Sequence, residues 1–282
     1  MPLKTLPDGK QIVILSYSAF SVYQQCPQRY YREKILREKT GEDDLSFNIP
    51  GTISHKATEV YLKSGDERIF ESSVLNAAVE KHSHDPQVDL VKAYGSIDKA
   101  AEFTRLCAQN LQRFLVSRNI RSKQFLSEEW FGNWDEPLML SENLGTQGAP
   151  DLIEINPNGS AILYDYKATW STKNLNKDQL ILYCIASELK FNVKISMSAF
   201  YLLPANKHEY FNFTEQDKLN LKNRMQDAAN NILMLGPDLP YTPNEKCNRC
   251  PYASSCKEKD KFIPKKFEPP KGDFGGFGTI DL

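Results

Sequence analysis

Two apolar runs separated by a turn sequence restrict the possible folds more than any other part of this chain. Residues 148–155 and 161–168 both have the character of β-strands, and residues 156–160 have the sequence NPNGS. Asparagine, proline and glycine favour tight turns, and a short loop of this length commonly connects two antiparallel strands. We therefore predict a β-hairpin over this segment.

The register of this hairpin decides which side chains share a face of the sheet. If Ile155 pairs with Ala161, then Asp151 lies opposite Asp165, because partners along an antiparallel pair are matched one to one. Lys167 follows Asp165 by two residues, so its side chain points to the same face. The sequence thus predicts two carboxylates and one ammonium group close together.

The remaining chain divides into helical and strand-like segments according to the period of its apolar residues. The predicted order is helices, then an antiparallel group of strands, then helix, strand and helix. This order indicates an α/β (α+β mixed) fold, in which helices flank a central mixed sheet, and not a regular βαβα alternation. Helices are predicted at about 16–36, 51–63, 67–81, 97–117, 177–189 and 215–235, the first interrupted at Cys26-Pro27, and further strands at 11–15, 124–134 and 194–203.

Composition and charge exclude some classes of protein. The 282 residues include 35 basic and 36 acidic side chains, which gives a net charge of −1. This balance excludes a protein that coats nucleic acid through bulk positive charge, although it permits a local basic groove. No run of roughly 18 apolar residues could span a membrane, and the N-terminus lacks the apolar core of a secretory signal. We expect a cytoplasmic protein with no membrane partner.

The paired aspartates and the lysine suit a divalent cation and a phosphodiester. Two adjacent carboxylates repel each other and are stabilised by a shared cation, and Mg²⁺ or Mn²⁺ prefers such oxygen ligands. A cation of this kind stabilises charge on the phosphate and lowers the pKa of bound water, which Lys167 can orient. The triplet from Asp165 to Lys167 alone is more typical of a salt-bridged surface strand. The position of Asp151 on the same hairpin favours the metal-binding interpretation.

The motifs resemble those of the PD-(D/E)XK nuclease superfamily, specifically its RecB-like branch. Pro150-Asp151 is similar to the first acidic motif, and Asp165-Tyr166-Lys167 is similar to the D/E-x-K motif. GTISH at 51–55 resembles the helical G-x-x-x-H element, and DQLILYCIA at 178–186 resembles the Q-x-x-x-Y helix after the active-site strand. The order and spacing of these motifs match those of the RecB-like branch over residues 16–256. The Ala-Pro pair before Asp151 departs from the basic or apolar pair of many members but retains the carboxylate.

The resemblance implies a restriction-endonuclease-like core and a metal-dependent DNA nuclease, expected to act as an exonuclease on single-stranded DNA or DNA ends. The alternative is a non-catalytic DNA-binding or assembly subunit of a repair or recombination complex, stabilised by a metal cluster. The sequence contains no helicase P-loop, so unwinding would require a helicase, recombination or replication partner. The implied residues are His55, Asp151, Asp165 and the Tyr166 carbonyl as metal ligands, Lys167 beside the attacking water, and Gln179 and Tyr183 on the scissile strand.

Three of the six cysteines are clustered near the C-terminus. Cys247, Cys250 and Cys256 have the spacing C-x2-C-x5-C, and Cys26 is the best candidate for a fourth ligand. Clustered cysteines in a reducing compartment indicate metal binding, and both zinc and a 4Fe–4S cluster use four-cysteine sets. The spacing alone does not choose between them. The other two cysteines, Cys107 and Cys184, lie in apolar helical segments and are expected in the core.

The family resemblance favours the iron–sulfur cluster. A subset of RecB-like nucleases, including the CRISPR-associated exonucleases of spacer acquisition and the AddB-type recombination nucleases, has one N-terminal cysteine and a C-terminal C-x2-C-x5-C set that hold a 4Fe–4S cluster. The resemblance therefore implies that Cys26, Cys247, Cys250 and Cys256 bind such a cluster. Its expected role is structural, because it would join the two ends of the nuclease domain.

One nuclease domain is expected over residues 1–262. It comprises a helical insert at about 50–120, a nuclease core at about 121–210, and a long helix with the cluster loop at 214–258. The glycine- and proline-rich residues 263–282 are expected to form a flexible tail, with a partner-docking peptide as the alternative.

A DNA path is predicted beside the site. Basic and aromatic side chains of the first helix can contact phosphates and bases, and the loop at 170–177 can border the substrate, although a solvated surface is the simpler reading of each. Glu128 and Glu129 are expected on an ordinary strand face rather than at a second metal. The first-helix residues are Arg29, Tyr30, Tyr31, Arg32, Lys34 and Arg37.

Overall fold

Two β-sheets form the framework of the protein. The structure is a computed structural model that describes residues 2–38, 45–173, 175–258 and 261. Within these residues the larger sheet has the order β3-β6-β7-β8-β9, and the smaller sheet has the order β1-β2-β5-β4. The strands are β1 (Leu3–Thr5), β2 (Gln11–Ile14), β3 (Gln124–Leu126), β4 (Leu138–Met139), β5 (Leu144–Thr146), β6 (Leu152–Ile155), β7 (Ser160–Lys167), β8 (Lys194–Leu202) and β9 (Lys207–Phe211).

Helices flank the larger sheet, so the predicted mixed α/β fold is confirmed. Strands β7 and β8 run parallel, whereas the other neighbours in this sheet run antiparallel, which makes it a mixed sheet. In the described part of the chain, none of the helices has the length and apolarity needed to cross a membrane. The α-helices are α1 (Tyr17–Gln25), α2 (Pro27–Tyr30), α3 (Ile49–Ser64), α4 (Ser72–Ser83), α5 (Leu90–Tyr94), α6 (Ile97–Ser117), α7 (Asp178–Phe191) and α8 (Glu215–Leu235).

The predicted hairpin has the predicted register. Ile155 pairs with Ala161, and Leu152 pairs with Tyr164 at the other end of β6. The turn is closed by the backbone N–H of Asn156, which donates to the carbonyl of Ser160 at 2.8 Å. Because β6 begins at Leu152, the preceding residue, Asp151, continues the register opposite the carboxyl end of β7.

The two faces of this hairpin pack against different helices. Leu152 and Tyr164 belong to the core cluster that includes residues of α3, α4 and α6. Ile153 and Leu163, which alternate with them, pack with Leu180 of α7 on the other face. The hairpin therefore lies between two helical layers, and the ends of β6 and β7 are reached by helices from both sides.

The first helical region is interrupted as predicted. Ser16 caps α1 by accepting a hydrogen bond from the N–H of Ala19 at 3.3 Å. Helix α1 ends before Cys26, whose backbone is extended because Pro27 disfavours a helical conformation in the residue before it. Helix α2 begins at Pro27, and a π-helical turn continues over Tyr31–Ile35.

Several predicted boundaries are wrong. The strand predicted at 124–134 ends at Leu126, and the helix predicted at 67–81 is a 3₁₀ turn, Glu67–Phe70, followed by α4. Glu71, with ψ of 142°, separates these two segments. The sequence did not predict β1, β4, β5, β9 and α5, because most of these elements are too short to show a clear apolar period. The predicted tail lies outside the described residues, and the proposed domain limits remain a prediction.

Candidate active site and cysteine cavity

Two buried aspartates lie at the ends of the central hairpin. Asp151 is 7% exposed and Asp165 is 1% exposed. The backbone N–H of Tyr166 donates to Oδ2 of Asp151 at 2.5 Å, which fixes this carboxylate against the end of β7. Burial raises the pKa of Asp151 to about 7, although the charge of His55 opposes the shift. Burial also raises the pKa of Asp165, against the opposing charge of Lys167.

Asp165 is contacted from two directions by polar side chains. Nζ of Lys167 lies 2.6 Å from Oδ2, and Nε2 of Gln179 donates to Oδ1 at 3.0 Å. The same amide contacts the hydroxyl of Tyr183 at 3.3 Å, so the two residues share one face of α7, as their spacing predicts. Burial lowers the pKa of Lys167, but the charge of Asp165 outweighs this effect and the net shift is upward. Lys167 is therefore a cation at neutral pH.

His55 approaches the same place from α3. Its Nδ1 lies 3.4 Å from Oδ1 of Asp151 and 3.1 Å from Oε1 of Glu128. Its ring packs edge-on against Tyr166, with centroids 5.6 Å apart. Burial lowers the pKa of His55, but the charge of Asp151 and the contact with Glu128 raise it to about 9. One ligand atom each from His55, Glu128 and Asp151 lies within 4.8 Å of the others.

The position of Glu128 differs from the sequence prediction. An ordinary strand face was expected for Glu128 and Glu129, but β3 has ended before them. Glu128 has a φ of +54°, and its N–H donates to the carbonyl of Pro150 at 3.2 Å. Leu126 pairs with Ile153, so the continuation of that register brings Glu128 beside Asp151. The position of Glu128 beside Asp151 thus depends on how the three-residue strand β3 pairs, and the sequence does not reveal that pairing.

His55, Glu128, Tyr166 and Lys167 border a cleft of about 930 Å³ that opens to solvent, whereas Asp151 and Asp165 are buried. Helix α3 provides one part of the lining with Gly51 and His55, the glycine and histidine of the predicted G-x-x-x-H element. The chain after β7 provides Lys167, Ala168 and Thr169 on another. Lys167 of the carboxylate–lysine site is thus reachable from outside, together with His55 and Glu128. The seven residues predicted for catalysis and metal binding lie in one neighbourhood, and their roles remain predictions.

Asp178 supports the site, although no sequence motif had indicated this residue. It lies at the first position of α7 and is 8% exposed. Its carboxylate accepts hydrogen bonds from Arg224 of α8 at 2.9 and 2.7 Å, and from Gln24 of α1 at 3.3 Å. Burial raises the pKa of Asp178, but the contacts with Arg224 lower it below its usual value. The ion pair between Asp178 and Arg224 anchors the first turn of α7, which carries Gln179.

Four cysteines from opposite ends of the chain line one small cavity. The volume is about 40 Å³, and the side chains of Arg29 and Lys246 line it as well. Asn244 joins the two ends by donating from Nδ2 to the carbonyl of Gln25 at 2.9 Å. The predicted proximity of Cys26 to the C-terminal group is therefore present. The cysteines are Cys26, Cys247, Cys250 and Cys256.

A second contact holds the cysteine loop against the first helical region. The guanidinium of Arg32 lies 4.3 Å from the ring centroid of Tyr252, and it donates to Oγ of Ser255 at 2.9 Å. Cys107 and Cys184 are buried elsewhere, as predicted for core residues.

The DNA path predicted along the first helical region is wrong in part. Tyr30 is completely buried in the core cluster around Phe20, so its ring cannot stack on a base. Arg29 pairs with Glu33 at 3.1 Å, and Arg32 is occupied by the cysteine loop and by Glu38. The aromatic residues of this region form core rather than a substrate surface, because the helix turns its apolar face inward.

The fold and the site define a class of protein. The central hairpin of the mixed sheet carries two carboxylates and a lysine beside a solvent-open cleft, and this is the framework of a metal-dependent nuclease. Residues 14–257 match the family model of the PD-(D/E)XK nuclease superfamily, and the chain belongs to this superfamily. A similar solved structure is the crystal structure of SSO0001, with 18% sequence identity and a TM-score of 0.35, covering 75% of this chain and 97% of that one. No curated protein sequence matches the chain.

Proposed function

We propose that the protein is a Mg²⁺- or Mn²⁺-dependent deoxyribonuclease of the RecB-like branch, acting as an exonuclease on single-stranded DNA or DNA ends. The observation that carries this proposal is the convergence of Asp151, Asp165 and Lys167 at the end of one hairpin, with His55 beside them. Membership of the superfamily supports nuclease chemistry. The RecB-like branch rests on His55 in α3 and on Gln179 in α7.

The residues fit a divalent cation. Two buried carboxylates with raised pKa values lie together, and a shared cation would offset their repulsion. Oδ2 of Asp165 is buried and makes no hydrogen bond of good geometry, although Lys167 lies beside it. A bound cation would stabilise charge on the phosphate and lower the pKa of water. The proposed ligands are His55, Asp151, Asp165 and the carbonyl of Tyr166.

The other residues have distinct proposed roles. Lys167 is charged and close to Asp165, so it can orient the attacking water and neutralise charge that develops on the phosphate. Gln179 positions Asp165 through the hydrogen bond to Oδ1, and Tyr183 supports Gln179. The proposed role of both side chains is to contact the scissile strand from the α7 side of β7.

A time course on four DNA substrates tests the proposed function. End-labelled and circular DNA, each single- and double-stranded, are incubated with the protein and Mg²⁺ or Mn²⁺. Release of labelled ends without cutting of circles supports an exonuclease, and cutting of circles contradicts it. Lys167→Ala should abolish hydrolysis, and a variant that degrades DNA at the normal rate would remove the mechanism. Asp165→Ala should lose hydrolysis while keeping DNA affinity, which separates an enzyme from a non-catalytic subunit.

We also propose that Cys26, Cys247, Cys250 and Cys256 hold a 4Fe–4S cluster. Their common cavity, with Arg29 and Lys246 beside it, suits an anionic thiolate-bound group. The C-x2-C-x5-C spacing with one N-terminal cysteine, which resembles the iron–sulfur subset of RecB-like nucleases, is the reason for preferring this cluster to zinc.

The preparation itself tests the cluster. A brown protein with a broad absorption band, and iron and sulfide in about equal amounts, would support 4Fe–4S. A colourless protein that contains zinc would contradict it. Such a cluster fits a reducing cytoplasm, and a helicase in a repair or recombination complex is the partner we propose for unwinding.

A further inference from the structure

Exposed aromatic side chains are concentrated at the mouth of the catalytic cleft. Phe47, Trp130 and Trp170 are 64%, 59% and 61% exposed. Among the described residues, the other aromatic side chain with large exposure is Tyr210, at 48%. Phe47 and Trp130 line the cleft, and Trp170 directly follows Thr169, which also lines it. Large rings are usually buried, so this grouping at one opening indicates a binding surface.

Phe47 and Trp170 are the two ends of a continuous row of four rings. Successive ring centroids are 5.8 Å apart from Phe47 to Tyr94, 5.8 Å from Tyr94 to Phe103 and 6.2 Å from Phe103 to Trp170. The two inner rings are half-buried and pack against the helical core, whereas the two outer rings face solvent. The inner rings thereby fix the outer ones, which reduces the entropy lost when a ligand stacks on them.

Both tryptophans are close along the chain to the carboxylate–lysine site. Trp170 follows Lys167 by three residues, so their Cα atoms are at most about 11 Å apart. Trp130 follows Glu128, the residue in contact with His55, by two residues, which limits that separation to about 7 Å. A strand with one phosphate at the site therefore has its neighbouring nucleotides within reach of these rings.

The charged side chains of the cleft do not form a basic track. Lys56 and Lys63 both pair with Glu59, at 2.7 and 2.8 Å, and Glu128 and Glu129 also line the cleft. Binding through phosphates alone requires several available basic groups. Aromatic rings bind instead to the faces of bases, which an unpaired strand exposes and a duplex hides within its own stack.

We propose that Trp130, Trp170 and Phe47 are base-stacking sites that hold an unpaired DNA strand across the catalytic cleft. This inference rests on the proposed nuclease function and adds the residues that select unpaired strands over duplex.

Binding measured without turnover tests this proposal. The anisotropy of a labelled short oligothymidylate is followed in EDTA, which prevents hydrolysis, and is compared with a duplex and an abasic strand of equal length. The variants are Trp130→Ala and Trp170→Ala. Trp134→Ala is the matched control, because Trp134 lines a different pocket beside Ser16 and Arg37. Circular dichroism checks that all three variants are folded.

The oligothymidylate should bind at least about ten-fold more tightly than the abasic strand and the duplex, because stacking contributes roughly 1–3 kcal/mol per base. Trp130→Ala and Trp170→Ala should each weaken binding by about ten-fold, and Trp134→Ala should not change it. Equal affinity for the three ligands, or wild-type affinity in both cleft variants, would overturn the stacking sites. Binding as expected without hydrolysis in Mg²⁺ would overturn the proposed nuclease function alone.

Discussion

Oε1 of Glu128 lies 3.1 Å from Nδ1 of His55, and the same nitrogen lies 3.4 Å from Oδ1 of Asp151. The imidazole is thus placed between two carboxylates from different segments of the chain. Glu128 reaches this position through a left-handed backbone, with a φ of +54°. Such a conformation is costly for a residue other than glycine, and residues held in it are concentrated at functional sites. Its neighbour Glu129 is exposed.

Glu128→Gln should weaken the binding of Mn²⁺ by about ten-fold. The substitution removes a negative charge next to His55 and Asp151 without changing the size of the side chain, and residues that support metal ligands typically contribute ten-fold or more to affinity. Electron paramagnetic resonance of free Mn²⁺ measures the dissociation constant directly. Glu129→Gln is the matched control and should bind as the wild type does. Equal affinity in Glu128→Gln would show that this carboxylate plays no part in metal binding.

Asp178→Asn should destabilise the fold by about 1–2 kcal/mol. The change weakens the paired hydrogen bonds to Arg224, and a buried ion pair that loses one partner usually costs about 3–5 kcal/mol. The smaller figure applies because the Arg224 side chain is 47% exposed and keeps its contact with water. Urea unfolding measures the difference. Glu215→Gln, which removes an 89% exposed partner of Lys218, should leave stability nearly unchanged.

Loss of the ion pair between Asp178 and Arg224 should also reduce DNA hydrolysis. Asp178 anchors the first turn of α7, and Gln179 in that turn bonds Asp165. A less fixed turn should lower kcat more than it raises KM, since the chemistry at Asp165 is affected more than substrate contacts. Initial rates at several DNA concentrations separate the two parameters. An unchanged kcat in a folded Asp178→Asn protein would limit Asp178 to a role in stability.

The hairpin was predictable because a short turn and a strand period of two together fix the register. With Ile155 opposite Ala161, the proximity of Asp151 to Asp165 follows without further information. Gln179 was predictable as well, because it lies on a helix long enough to show its period. Elements of this kind carry their information locally.

Other parts of the site depend on contacts that no local pattern encodes. Glu128 meets His55 only because a three-residue strand pairs with β6 and the chain then turns through a left-handed residue. Tyr30 is adjacent to basic residues in the sequence, yet the interruption at Pro27 turns its ring into the core. Both outcomes are set by tertiary packing, which overrides the local sequence signal.

His208→Phe should make stability less sensitive to acid. Burial lowers the pKa of His208, and the positive charge of Arg118 lowers it further. Below about pH 6.5 the unfolded chain therefore binds a proton at this position more readily than the folded chain, and the folded state loses stability as the pH falls. Phenylalanine can keep the stack on Tyr201, whose ring centroid is 4.1 Å away, but takes up no proton.

Urea midpoints at about pH 7.5 and about pH 5.5 measure this effect, since the two values lie on either side of the ordinary histidine pKa. The wild type should lose more stability between them than His208→Phe does. His82→Phe, in the last turn of α4, is the control for a histidine-to-phenylalanine change outside this stack. An equal loss of stability in His208→Phe and in the wild type would contradict a half-buried, neutral His208.

Cys26→Ser should remove the chromophore and loosen the connection between the two ends of the domain. Cys26 is the single member of the four-cysteine cavity that comes from the N-terminal half, so its loss breaks the link that a bound cluster would make. Part of the connection should remain, because Arg32 still contacts Tyr252 and Ser255.

We therefore expect a folded protein with a bleached spectrum, a lower Tm and faster proteolysis within residues 244–258. Cys184→Ala, in the core, is the control that should keep the spectrum even if it lowers Tm. Retention of full absorption and iron content by Cys26→Ser would show that the fourth ligand is another residue.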